Sequence, residues 1–199
     1  MAMIKLYMRD DDGALHYREA WTENGGVHTH HGKVGTRGKS RFHPTRSRTW
    51  PDKQTAADFL RTFREHAEDD GFHEVPGPDH GWLVLQCWTC SPDFSHPDDR
   101  RLLDEGQEAL DQHLGWHGVG HVDGNDIGGT PPDACDLAGT VLNLFCRVVD
   151  TTVGVKVVRS FARQFQLTPY HVIGTREAGD SPYVLAWSAR KRDTGLQLF

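Results

Sequence analysis

Val75-Pro76-Gly77-Pro78-Asp79 divides the chain. Proline fixes φ and lacks a backbone N–H, so neither a helix interior nor a central strand runs through two prolines set around a glycine. Each side must therefore bury a core of its own, and 199 residues are enough for two small domains. The expected organisation is a domain over residues 1–75, a linker over 76–81 and a second domain over 82–199. The longest apolar stretches, such as Trp82–Leu85, fall far short of the roughly 20 residues that cross a bilayer. No membrane partner is expected. The opening MAMIKLYMRDDD lacks the apolar core and small-residue cleavage site of a secretory signal, so the expected location is the cytoplasm. Four cysteines are too few to staple a chain of this length, and a reducing compartment would keep them as thiols.

The formal net charge of −6 is unevenly distributed. Residues 1–75 carry 12 basic and 12 acidic side chains, whereas residues 76–199 carry 10 and 16. Within the balanced half, Lys33, Arg37, Lys39, Arg41, Arg46, Arg48 and Lys53 face a single acid, Asp52, which makes residues 33–53 a +6 segment. Such a block attracts phosphates through Coulomb forces and counterion release even in an acidic protein. A solvated basic loop is the alternative.

In the first half, Ile4–Met8 and Leu15–Trp21 read as strands joined by a turn at Asp10–Gly13, and Asn24-Gly25-Gly26 signals a second hairpin. A strand beginning at Val27 sends Thr29, His31 and Lys33 to one face and His28 and His30 to the other. Gly35-Thr-Arg-Gly38 turns the chain, and Lys39, Arg41 and His43 continue the alternation. Pro51 opens a helix whose apolar residues Ala56, Phe59, Leu60, Phe63 and Ala67 share one face, with Gly71 as its terminator. The result is a small antiparallel sheet crossed by one helix.

The second half reads as a strand over Trp82–Cys90, then a helix from Ser95-His-Pro-Asp98 with a stripe of Leu102, Leu103, Gly106, Leu110 and Leu114 ending at Gly115. Gly118–Asp123 is strand-like and Gly124–Gly139 a loop. Val141–Asp150 is a strand, and Val153, Val157, Phe161 and Phe165 mark a helix. Tyr170–Thr175 and Tyr183–Ala189 close the chain as strands. That order, βαββαβ plus one strand, is the split-βαβ, ferredoxin-like arrangement, so the expected fold class is α+β.

His31-Gly-Lys-Val-Gly-Thr-Arg-Gly38, preceded by Lys5-x-Tyr7 and Trp21 and followed by the Ala/Phe helix and Gly71-Phe72, resembles the WGR domain of DNA-break-dependent poly(ADP-ribose) polymerases and bacterial proteins. The resemblance covers roughly residues 3–75. It implies DNA, its ends included, as the partner. His31 takes the place of the motif Trp, and Gly32 and Gly35 allow close backbone approach. Lys33 takes the place of the motif Arg. His stacks with less surface than Trp, and Lys lacks the bidentate fork of Arg. In the second half, Gly120-His-Val-Asp-Gly-Asn-Asp-Ile-Gly128 is similar to a loop of small bacterial ferredoxin-like domains, some of them immunity-type proteins.

His28, His30, His31 and His43 invite a zinc reading, as does Cys87-x-x-Cys90. The second pair of a zinc knuckle is missing, because Cys135 and Cys146 stand too far apart. Buried strand cysteines are the expectation, with no metal and no cofactor. His121, Asp123 and Asp126 suggest catalysis or calcium, but such residues more often bond their own backbone in turns. No nucleotide loop, nucleophile elbow or metalloprotease motif occurs in the sequence. The expectation is a non-catalytic protein in which His31, Gly32, Lys33, Arg37, Lys39 and Arg41 contact DNA phosphates and the acidic second domain engages a protein. The alternative is an immunity or antitoxin protein whose acidic domain covers a basic toxin.

Overall fold

In a computed structural model, the structure describes residues 3–45, 50, 54–128, 140–167, 170–177 and 181–191, with 193, 195, 196 and 198. Arg46, Arg48, Pro51, Asp52, Lys53 and Cys135 lie outside the described residues, as does most of the expected Gly124–Gly139 loop. Among the described residues the fold is mixed α+β, with two antiparallel sheets of four and five strands and three helices. The chain forms two compact units, Met1–Pro76 and Gly77–Phe199. Between the expected domains, Gly77–Asp79 forms a single 3-10 turn, and the next strand already begins at Gly81.

The first unit is a meander of β1 (Met3–Arg9), β2 (Leu15–Glu23), β3 (Gly26–Lys33) and β4 (Lys39–Pro44), paired in sequence order. Asn24 and Gly25, both at positive φ, close the β2–β3 hairpin in the primed turn that matches strand twist. Helix α1 (Ala56–Asp69) crosses one face. Its N-cap is Thr55, which forms a reciprocal capping box with Asp58, so the helix starts later than proline placement suggests. Its end is a Schellman motif: Gly71 N–H donates to the Glu68 carbonyl and Phe72 N–H to that of Ala67, with Gly71 at φ +87°. Leu60, Ala67 and Phe72 pack with Ile4, Leu6, Ala20 and Val27.

The second unit runs β5 (Gly81–Trp88), α2 (Pro97–Trp116), β6 (Gly120–Ile127), β7 (Val141–Val148), α3 (Thr151–Gln164), β8 (His171–Arg176) and β9 (Val184–Ser188). The sheet order is β6-β7-β5-β8-β9, antiparallel throughout. Each helix therefore connects strands separated by one inserted neighbour. Leu83, Leu85 and Cys87 share the face that receives the helices, as Gly154 of α3 against Leu83 shows. Helix α2 buries Leu102, Leu110 and Leu114, while Leu103 is exposed and leaves the expected stripe. Residues 124–127 are strand rather than loop, because a bulge between Val122 and Gly124 lets β6 continue. The first strand stops at Trp88, so Cys87 is buried in β5 and Cys90 lies beyond it. Burial pushes the Cys87 thiol up to about 12, which keeps it protonated and inert. No helix among the described residues is long and apolar enough to cross a membrane.

Two glycines separate conformational from steric cost. Alanine at Gly71 meets nothing closer than Met8 Sδ at 3.7 Å and incurs only the left-handed backbone penalty, about 1 kcal/mol. Alanine at Gly120 would drive its Cβ into the Arg147 carbonyl across the β6–β7 pair, so the expected loss is about 3 kcal/mol. Urea midpoints of the two variants check this, and equal losses would contradict it.

Candidate nucleic-acid interface

Register decides which side chains share a surface, because residues directly opposite one another project to the same face. His31 lies opposite Arg18 on β2 and Lys39 on β4, Thr29 opposite Arg41, and Lys33 opposite His16. His31, Lys33, Lys39 and Arg41 therefore occupy one face of the sheet, the face that α1 crosses farther along at Ala20 and Val27. All four are exposed. Gly32 projects to the opposite face, and Arg37 sits in the turn between β3 and β4 with an exposed side chain. Lys33, Arg37, Lys39 and Arg41 form no ion pair among the described residues.

The same surface includes a residue that the motif did not mark. Arg18 donates to Asp70 at 2.6 Å and lies over the Phe72 ring at 4.3 Å. Those contacts fix it against the end of α1 beside His31. Partial burial, then the charges of Arg18, His30 and Lys39, hold the His31 imidazole below its ordinary pKa. His31 is thus a neutral, flat ring among cations at neutral pH. His43, on the same face, is held low by burial and by Arg41, and Thr29 Oγ1 lies 3.1 Å from its Nε2.

The opposite face explains why the β3–β4 turn has this shape. His30 is 1% exposed. Its Nδ1 lies 2.5 Å from Glu19 Oε1, and its Nε2 lies 2.6 Å from the Arg37 carbonyl. Both ring nitrogens lie within hydrogen-bond distance of acceptors, an arrangement that an imidazolium satisfies by donating from both. Lys5 Nζ is 3.3 Å from the other Glu19 oxygen. Tyr17, also fully buried, places its hydroxyl 2.9 Å from His30 Nε2 and donates toward the Thr36 carbonyl. Burial opposes the charge on His30, but the bonds to Glu19 and to the Arg37 carbonyl outweigh it, and the net shift is upward.

Glycine makes this closure sterically available. Gly38 sits at φ +61° against Tyr17 and His30, and a Cβ on Gly32 would come within 2.7 Å of Gly38 Cα. The close approach expected at Gly32 is therefore made by the protein's own turn. His28 joins neither constellation: it stacks on Trp21 at 5.2 Å and packs against Phe42 at 4.6 Å. The four histidines considered for zinc thus face two ways. His28 and His30 share one surface, and His31 and His43 the other.

Among the described residues, donor atoms of Cys90, His96 and Asp99 lie within 4.8 Å of one another. Asp99 already accepts from the N–H groups of Cys90 and Ser91 and from Ser91 Oγ, and His96 is the N-cap of α2. A cation there would also meet the positive end of the helix. These contacts make the cluster a staple for the turn after β5. His121, Asp123 and Asp126, considered for catalysis or calcium, all lie on β6, and Asp123 is 3.8 Å from Arg147.

The His30 pair gives stability a defined pH dependence. A folded-state pKa above the unfolded value means that the contribution is complete below about pH 6.5 and is lost as pH rises through the raised folded value. His30→Ala is expected to flatten that decline and to cost about 3 kcal/mol at mildly acidic pH, because Glu19 loses its buried partner. Chemical unfolding at several pH values measures both, and an unchanged slope in the variant would refute the assignment.

No family model, curated protein or solved structure matches this chain, so the reading of its sites rests on its own residues.

Proposed function

We propose that the protein is a non-catalytic, cytoplasmic nucleic-acid-binding protein in which a WGR-like first unit contacts DNA phosphates, ends included, through Lys33, Arg37, Lys39 and Arg41, with His31 as the flat ring among them. The observation that carries this reading is the register. Lys33, Lys39 and Arg41 project with His31 from one sheet face, exposed and without carboxylate partners among the described residues. Unpaired cations at strand spacing match the charge of a phosphate backbone. The four-strand meander crossed by one helix supports the WGR likeness.

In the second unit, the strand order β6-β7-β5-β8 supports a ferredoxin-like arrangement with β9 added at the edge. Its proposed role is protein binding. Leu103, Asp104, Gln107, Glu108, Asp111 and Val122 line a groove between α2 and β6, an acid-rimmed surface suited to a basic partner. That groove is also what favours the second reading, an immunity or antitoxin-type protein that neutralises a basic toxin.

Fluorescence anisotropy of the full-length protein with a labelled short duplex tests the first reading. Affinity is expected to fall with salt at a log–log slope of about −3, for three to four neutralised phosphates. Lys39→Glu combined with Arg41→Glu is expected to weaken binding by at least about tenfold. Salt-independent binding, or an unaffected double variant, would remove DNA from the account and leave the toxin-neutralising reading.

A further inference from the structure

The five-stranded sheet carries a row of side chains on the face opposite α2 and α3 that nothing above uses. Trp82 of β5 lies directly opposite Arg147 of β7 on one side and Arg176 of β8 on the other, and His121 of β6 lies opposite Arg147. The Arg147 guanidinium sits 3.6 Å from the centroid of the Trp82 ring and that of Arg176 5.0 Å. Arg176 also lies 4.9 Å from the Tyr183 ring, which packs on Phe145. Two cations thus share one indole within a half of the chain that carries 16 acidic and 10 basic residues.

Among the described residues their charges are poorly answered. Arg147 has Asp123 at 3.8 Å and the Gly77 carbonyl at 3.4 Å, both long contacts. Arg176 has no ion pair or side-chain hydrogen bond among the described residues, and of its donors the Nε is closed to solvent. Ring faces attract guanidinium but do not use its in-plane N–H donors. The terminal N–H groups of a guanidinium form a fork that matches a tetrahedral oxyanion.

We propose that Arg147 and Arg176, which share the Trp82 ring, form a binding site for the phosphate group of a small phosphorylated ligand, with His121 opposite Arg147 on β6. Arg147 and Arg176 share one indole, and together they offer the charge that a single phosphate group requires.

Thermal unfolding of the full-length protein with inorganic phosphate, 5′-AMP or adenosine tests it. Phosphate and 5′-AMP are expected to raise the midpoint saturably, and adenosine to act at least about tenfold more weakly. Arg176→Gln should abolish the response while Lys33→Glu keeps it. Arg147→Gln, at a side chain 29% exposed, carries the same test should Arg176→Gln fail to fold. Absence of any phosphate or 5′-AMP response, an equal response to adenosine, or full responses in both arginine variants would overturn the proposal.

Discussion

A charged imidazole closed inside a small sheet, between the Glu19 carboxylate and the Arg37 carbonyl, is the constraint on which the first unit depends. A buried ion pair contributes little net stability against an apolar replacement, but a broken one is costly. Its effect is therefore on specificity. A one-residue slip of β3 would turn His30 to the other face and set His31 or Thr29 opposite Glu19, and the bond from His30 to the Arg37 carbonyl would be lost. The pair fixes the register, and the register sets His31, Lys33, Lys39 and Arg41 on one exposed face. The network also reaches beyond the strands. His30 and Tyr17 hold the turn through the Arg37 and Thr36 carbonyls, so the turn lies against the sheet at Gly32 and Gly38.

Much of this was legible in residue order. The Asn24-Gly25 turn, the alternation along β3 and the apolar face of α1 each follow from local rules that the fold obeys. The Glu19–His30 pair was legible too, though by a different operation. Counting outward from Asn24-Gly25 sets Glu19 opposite His30 and Tyr17 opposite Gly32. Alternation alone assigns faces, whereas hairpin counting assigns partners, and only the second shows that a buried histidine has a carboxylate beside it.

Other features depend on pairings that no local pattern contains. Trp82 meets Arg147 and Arg176 because β5 sits between β7 and β8, strands far removed in sequence. The continuation of β6 past Val122 needs a bulge, and Gly124-Asn-Asp reads locally as a turn. Leu103 fits the helical stripe by spacing but lies at its edge, where it meets solvent beside the acidic groove. In each case the governing interaction is tertiary, and propensity points elsewhere.

The protonation state of His30 tests the central claim most directly, by long-range proton–nitrogen correlation NMR on the uniformly nitrogen-15-labelled chain. Both ring nitrogens should carry protons at about pH 7, with a titration midpoint above that of free imidazole. A neutral ring with a single protonated nitrogen at that pH would mean that Glu19 and the turn are not joined through a charged histidine, and the basis for the register would be lost.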